Sequence, residues 1–253
     1  MSDYNKWNTA ARGGYAGQTA AVDAGLRAYM LRVYNYMAAA VALTGVVAYA
    51  TFNAAVVTDA SGKITALTSF GQTIFSGPVM IGLLLATLGL VFFISFRIDR
   101  LQYSTAMTLF GIYAALLGVT LAPIFVTYTG TSITRVFFIS AASFGALSLY
   151  GYTTQRDLTA MGSFLMMGLF GLILASLVNL IWPSGALAFA ISVIGVGVFA
   201  GLTAYDTQRI KEMYDSMDDD GTLGRKAIMG ALSLYLDFIN LFLMLLRLVG
   251  DRR

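Results

Sequence analysis

Seven apolar runs, each close to the length of a membrane-crossing helix, recur between residues 33 and 248 of this chain, separated by short polar breaks. A helix needs about 20 apolar residues to cross the ~30 Å hydrocarbon core of a bilayer. The runs fall near 33–56, 75–96, 101–122, 133–153, 160–182, 186–209 and 227–248. The chain is 58% hydrophobic before its 26 glycines are counted, and 11% charged. A soluble domain carries about 25% charged residues. With so little charge, most of the surface has to face lipid. A soluble enzyme, a disordered chain and a nucleic-acid binder are excluded. The expected fold is an all-α polytopic membrane protein with seven transmembrane helices. Six spans plus a re-entrant segment is the alternative, because the last run holds Asp237 at its middle.

The breaks support this division. Arg97-Ile-Asp-Arg100 separates the second and third runs, so these form a tight hairpin. Pro123 is expected to end the third run, since proline cannot donate and crowds the preceding turn. Trp182-Pro-Ser-Gly marks the break between the fifth and sixth. Residues 1–28 are polar and lack the short apolar core and cleavage site of a secretory signal. They are read as a cytosolic tail, and residues 29–253 as the membrane domain. Lysine and arginine set orientation. With the N-terminus inside, eleven fall in the tail and the inner loops and five outside. An N-terminus in the cytoplasm follows, and a bacterial inner membrane is the expected location. Gly197-x-x-x-Gly201 has the spacing that lets helix backbones approach closely in lipid.

Histidine and cysteine are absent. That removes zinc sites of Cys/His type, disulfides, and catalysis by histidine or cysteine. No enzymatic activity and no cofactor are expected. Any titration near neutral pH has to come from carboxyl groups. Most of these have ordinary places in tails and loops. The run Glu212, Asp215, Asp218, Asp219, Asp220 is a solvated acidic loop. It is not an EF-hand, because a bidentate glutamate is needed at the twelfth loop position and Ala227 stands there.

Two acids remain. Asp237 lies halfway along the last apolar run, where a charge costs about 2.5–3.5 kcal/mol on insertion scales. Asn240 lies one turn further on the same face. Asp206 lies near the end of the sixth run, in Gly201-Leu-Thr-Ala-Tyr-Asp-Thr-Gln-Arg-Ile-Lys211, and on its own reads equally as an interfacial acid beside Arg209. At ~1.5 Å per residue, Asp237 is roughly 16 Å beyond Lys226, while Asp206 is only roughly 8 Å inside Lys211. Spacing alone leaves a gap in depth between them. If they meet, two carboxylates in a low-dielectric site cannot both ionise cheaply, and the pair shares a proton. Such a pair is a pH-sensitive latch between helices, and deprotonated it offers oxygens to a hard cation such as calcium.

The stretch Gly201–Lys211 resembles the signature of the Bax inhibitor-1 family. Ser233-Leu-Tyr-Leu-Asp-Phe-Ile-Asn-Leu-Phe242, with Leu245-Leu-Arg247, is similar to that family's last helix. Leu121-Ala-Pro-Ile124 and Tyr150-Gly-Tyr-Thr-Thr-Gln-Arg-Asp-Leu158 also fit, and the resemblance covers about residues 30–250. It implies a seven-helix bundle with the last helix at the centre. It also implies a pH-dependent calcium leak gated by Asp206 and Asp237 as ion-binding pH sensors, with calcium as permeant or bound ion. The family's latch is associated with an arginine near the end of the second helix. Arg100 matches best, with Arg97 as its rival, and both also read as anchors at the hairpin. Some members carry a glutamate in the second helix, but Val79–Phe96 holds no acid. The expected partners are the lipid bilayer and calcium ions. The rival function is a membrane-embedded regulator or adaptor that binds a partner such as a membrane protease or a cell-death protein.

Overall fold

The computed structural model describes residues 3–59 and 63–253, with side chains described from residue 24 onward. The polar segment assigned to residues 1–28 therefore lies mostly outside the described side chains. In chain order the elements are α1 (Asp3–Ala55), β1 (Val56–Thr58), β2 (Ile64–Leu67), α2 (Ser69–Ile74), α3 (Gly77–Arg97) and a 3₁₀ turn (Ile98–Arg100). Then follow α4 (Tyr103–Leu121), α5 (Ile124–Thr127), α6 (Gly130–Thr153), α7 (Thr159–Ile181), α8 (Gly185–Glu212) and α9 (Asp220–Val249).

Among the described residues, seven helical segments are long and apolar enough to cross a bilayer: Ala24–Ala55, Gly77–Arg100, Tyr103–Thr127, Gly130–Thr153, Thr159–Ile181, Gly185–Glu212 and Asp220–Val249. The protein is an all-α polytopic membrane protein, and the last run forms a full span. Local chemistry sets the boundaries. Pro78 sits in the first turn of α3, where its missing N–H costs nothing. As expected, α4 stops before Pro123, which then opens the short α5. Side-chain oxygens of Thr129, Ser184 and Asp219 accept backbone N–H groups at the starts of α6, α8 and α9, which satisfies donors that a helix N-terminus leaves open.

Between the first two spans, β1 and β2 pair antiparallel, Val56 opposite Leu67 and Val57 opposite Ala66. The β-branched residues Val56, Val57, Thr58, Ile64 and Thr65 favour this extended form. Gly71 of α2 then lies directly on the backbone carbonyl of Ala55, folding the hairpin back on the end of α1.

The centre of the bundle is α9. It packs against α8, α1, α6 and α4, and Leu232, Leu234, Tyr235, Leu241 and Leu246 are fully buried along it. Tyr235 bonds the Thr44 hydroxyl of α1 at 2.6 Å and meets Phe110 and Tyr113 of α4 edge-on. Flanking this centre, α7 packs on α8 and α3 packs on α4. Gly201 sits against Leu165 of α7, while Gly197 has open space where a side chain would be. The small-residue spacing thus serves packing within the bundle at one of its two positions.

Candidate functional site

The pairing of α8 with α9 follows from small residues. Gly195 leaves room for Met244, and Gly230 leaves room for Ile210. The same antiparallel register continues past the end of α8, where Lys226 donates to the carbonyl of Met213 at 2.9 Å. The connector therefore climbs alongside the first turns of α9 before reversing into it. This closes most of the depth gap: from the level of Ile210 and Gly230, Asp206 and Asp237 differ by three residues, roughly 5 Å. Side-chain direction closes the rest. The Cα–Cβ bond tilts toward a helix N-terminus. Asp206, nearer the connector, therefore points away from it, and Asp237, deeper in the bundle, points toward it. The two carboxyl groups converge and meet at hydrogen-bonding range.

Asp237 is 5% exposed, and its Oδ2 is buried with no hydrogen-bond partner among the described residues. Asp206 is half-buried and faces the positive field of Arg209. The pair thus runs from a partly wet carboxyl near the connector end to a dry one at mid-bundle. A buried carboxylate without donors is costly, and two carboxyls hydrogen-bond only when one of them carries a proton. Among the described residues, no three acidic, histidine or cysteine side chains gather in one place. Calcium takes six to eight oxygens, so an ion here would rely on carbonyls or water besides these two carboxyls.

The other sequence candidates fall elsewhere. Arg97 and Arg100 are exposed at the end of α3 and in the turn that follows. Among the described residues, the side chain of neither forms an ion pair or hydrogen bond. The structure does not bring them to the carboxyls, and the basic group that acts on Asp206 is its near neighbour Arg209. Asn240 turns back on its own helix, donating to the Leu236 carbonyl at 2.8 Å.

Four residues around Asp206 were not singled out from the sequence. The Thr207 hydroxyl contacts Ser148 of α6 at 2.9 Å, and Ser148 contacts Tyr34 of α1 at 2.6 Å. The buried Gln208 side chain clamps the α6–α7 connector, accepting from Leu158 N–H at 2.9 Å and donating to the Arg156 carbonyl at 2.8 Å. Lys211 donates to the Tyr152 carbonyl at the end of α6 at 3.0 Å and sits over the Tyr152 ring. Gly151 of α6 meets the backbone carbonyl of Ala204 directly. The available signal was that all of Thr207, Gln208 and Lys211 lie in the Gly201–Lys211 stretch. Their partners, largely backbone carbonyls and N–H groups, carry no sequence signature.

A seven-span bundle built around a helix with a buried acid, opposed by a second acid on its neighbour, defines a polytopic membrane protein with an intramembrane carboxyl pair. The chain belongs to the Bax inhibitor-1 family. The family model described as inhibitor of apoptosis-promoting Bax1 matches residues 26–253. An uncharacterised protein of Rickettsia prowazekii is 48% identical over 253 residues, covering all of both chains. The inner membrane protein YbhL of Escherichia coli is 47% identical over 232 residues, 91% of this chain and 94% of its own length. An uncharacterised protein of Caulobacter vibrioides is 42% identical over 260 residues, again covering both chains fully.

Proposed function

We propose that this protein is a pH-sensitive cation leak of a bacterial inner membrane, with its N-terminus in the cytoplasm, calcium as the permeant ion and Asp206–Asp237 as the gate. The observation that carries the reading is the meeting of these carboxyls at the centre of the bundle, one of them with an orphaned oxygen. A shared proton ties α8 to α9 through a hydrogen bond. Loss of that proton leaves two like charges in a dry site, which part or take up a cation. The half-buried Asp206 is the step between water at the connector end and the buried Asp237. The lysine and arginine distribution supports the orientation, and the relative in Escherichia coli named as an inner membrane protein supports the location.

The test is calcium flux into liposomes holding the purified protein, measured between pH 5 and 8. The intact protein is expected to conduct with a pH-dependent rate. Asp206→Asn and Asp237→Asn together are expected to abolish that dependence, because an amide pair neither titrates nor carries charge, and each alone is expected to shift it, because the remaining carboxyl loses the second carboxyl beside it. No flux from the intact protein, or a pH dependence that survives both substitutions, overturns the leak reading in favour of the partner-binding one.

A further inference from the structure

At the end of the bundle away from Asp206, a second apolar cluster stands apart from the main core. It is formed by Phe242 and Leu246 of α9, Val136 of α6 and Tyr128 of the preceding connector. Phe137 of α6 links it to Phe238, the neighbour of Asp237, through edge-on ring contacts at 5.6 Å and 6.3 Å to Phe238 and Phe242. The residues after α9 lie across this cluster as a strand-like strap. Tyr128 and Arg252 form an antiparallel bridge. The Thr129 N–H donates to the Asp251 carbonyl at 3.1 Å, and the Arg253 N–H donates to the Thr127 carbonyl at 3.0 Å. The Asp251 N–H donates to the buried Ser132 hydroxyl at 2.9 Å, and Arg135 pairs with the Asp251 carboxylate at 3.0 Å. Gly250 lets the strap leave α9 this closely: a Cβ there would press on the Tyr128 ring at 2.8 Å.

The exposed Arg135–Asp251 pair alone is worth little. The backbone bonds and the buried serine carry the attachment, since each protected donor needs a replacement partner if the strap lifts. Apolar constrictions close conduction paths by excluding water. We infer that Tyr128, Val136, Phe242 and Leu246 form a second, pH-independent closure of the path, and that residues 250–253 hold it shut. This rests on the leak reading for its function, though not for its structure. The strap contains no group that meets the carboxyl pair, so loosening it changes how much passes and leaves the pH profile to Asp206 and Asp237.

The absence of native cysteine makes the test free of background. Leu246→Cys is placed in the full chain and in a chain lacking residues 251–253; labelling by a charged thiol reagent is read in permeabilised proteoliposomes and calcium flux in sealed ones. Loss of several hydrogen bonds corresponds to an increase of about tenfold or more in local opening. The labelling rate of the shortened chain is expected to rise by that factor, and its calcium leak to rise at every pH without a change in profile. If the shortened chain does not elute as a single species, Ser132→Ala with Asp251→Asn in the full chain replaces it. Unchanged labelling in a well-folded variant overturns the strap. Faster labelling with no flux from any variant keeps the strap and overturns the leak reading. A shifted pH profile overturns the independence of the two closures.

Discussion

Two spans of this bundle, α7 and α9, invert the rule that holds for soluble proteins. The more hydropathic of the two is α7, yet only 6% of its most apolar stretch is buried in the bundle, against 67% for α9. In water, the more apolar helix would take the core. In lipid, no hydrophobic force drives an apolar helix away from its surroundings, and association depends on close packing and on hydrogen bonds between helices. The central position therefore goes to the helix with small residues and polar groups in need of partners. On α9 these are Gly224, Ala227, Gly230 and Ala231, with Tyr235 and Asp237. The outer α7 presents Phe164, Met167, Phe170 and Leu174 outward, as a lipid-facing surface should.

The strongest way to break this contrast is to cut the same side chain on both helices. Leu241→Ala, at a site 1% exposed, is expected to destabilise by about 2–5 kcal/mol. Leu174→Ala, at a site 63% exposed, is expected to change stability by no more than about 0.5 kcal/mol. Thermal unfolding in detergent reads both, and equal losses would remove α9 from the core. A smaller effect is expected where α8 clamps the connector leading into α7. Gln208→Leu leaves the Leu158 N–H and the Arg156 carbonyl without their partner, at a cost of about 1–3 kcal/mol. Gln208→Glu keeps the acceptor and should recover part of the loss. Full stability in Gln208→Leu would show that α7 docks through its apolar face alone.

The smallest effect is one in which the two helices should behave alike. Both begin behind an exposed aspartate. Asp157 accepts the Thr159 N–H, and Asp219 accepts the N–H groups of Gly221 and Thr222 and the Thr222 hydroxyl. These donors, from Thr159 and from Thr222 foremost, hold both carboxyls below the usual carboxylate range. A group held low in the folded state stabilises fully above its unfolded value of about 3.9, and that contribution is lost as pH falls through the lower folded value. Amide protection at Thr159, Gly221 and Thr222, measured relative to intrinsic exchange at each pH, should therefore fall below about pH 4 in parallel. Fraying of one helix alone would show that its start is held by something other than its aspartate.

Much of the fold could be read in the sequence. The seven runs correspond to the seven spans, Pro123 marks the end of α4, and Trp182–Gly185 separates α7 from α8, because span length and proline chemistry are local properties. The hairpin at 56–67 was legible in principle from its β-branched residues, but a short run beside a longer apolar one is easily absorbed into it. Asp206 and Asp237 stood out because ionisable groups are costly in hydrocarbon. Arg97 and Arg100 had two readings in the sequence, a partner for a buried acid or an anchor at the hairpin, and both side chains lie exposed at that hairpin.

By itself the sequence determined that this chain lives in a bilayer, that seven of its runs are long enough to cross one, and that Asp237 has no ordinary reason to be where it is. Those conclusions rest on residue type against a fixed membrane thickness. Only the tertiary structure decided that the carboxyls meet, that Gln208 and Lys211 fasten the helix bearing one of them, and that the segment after α9 straps the far end. Each depends on where helix backbones come to rest against one another. Register is set by glycines facing particular side chains across two helices, and by bonds to backbone groups that every residue possesses.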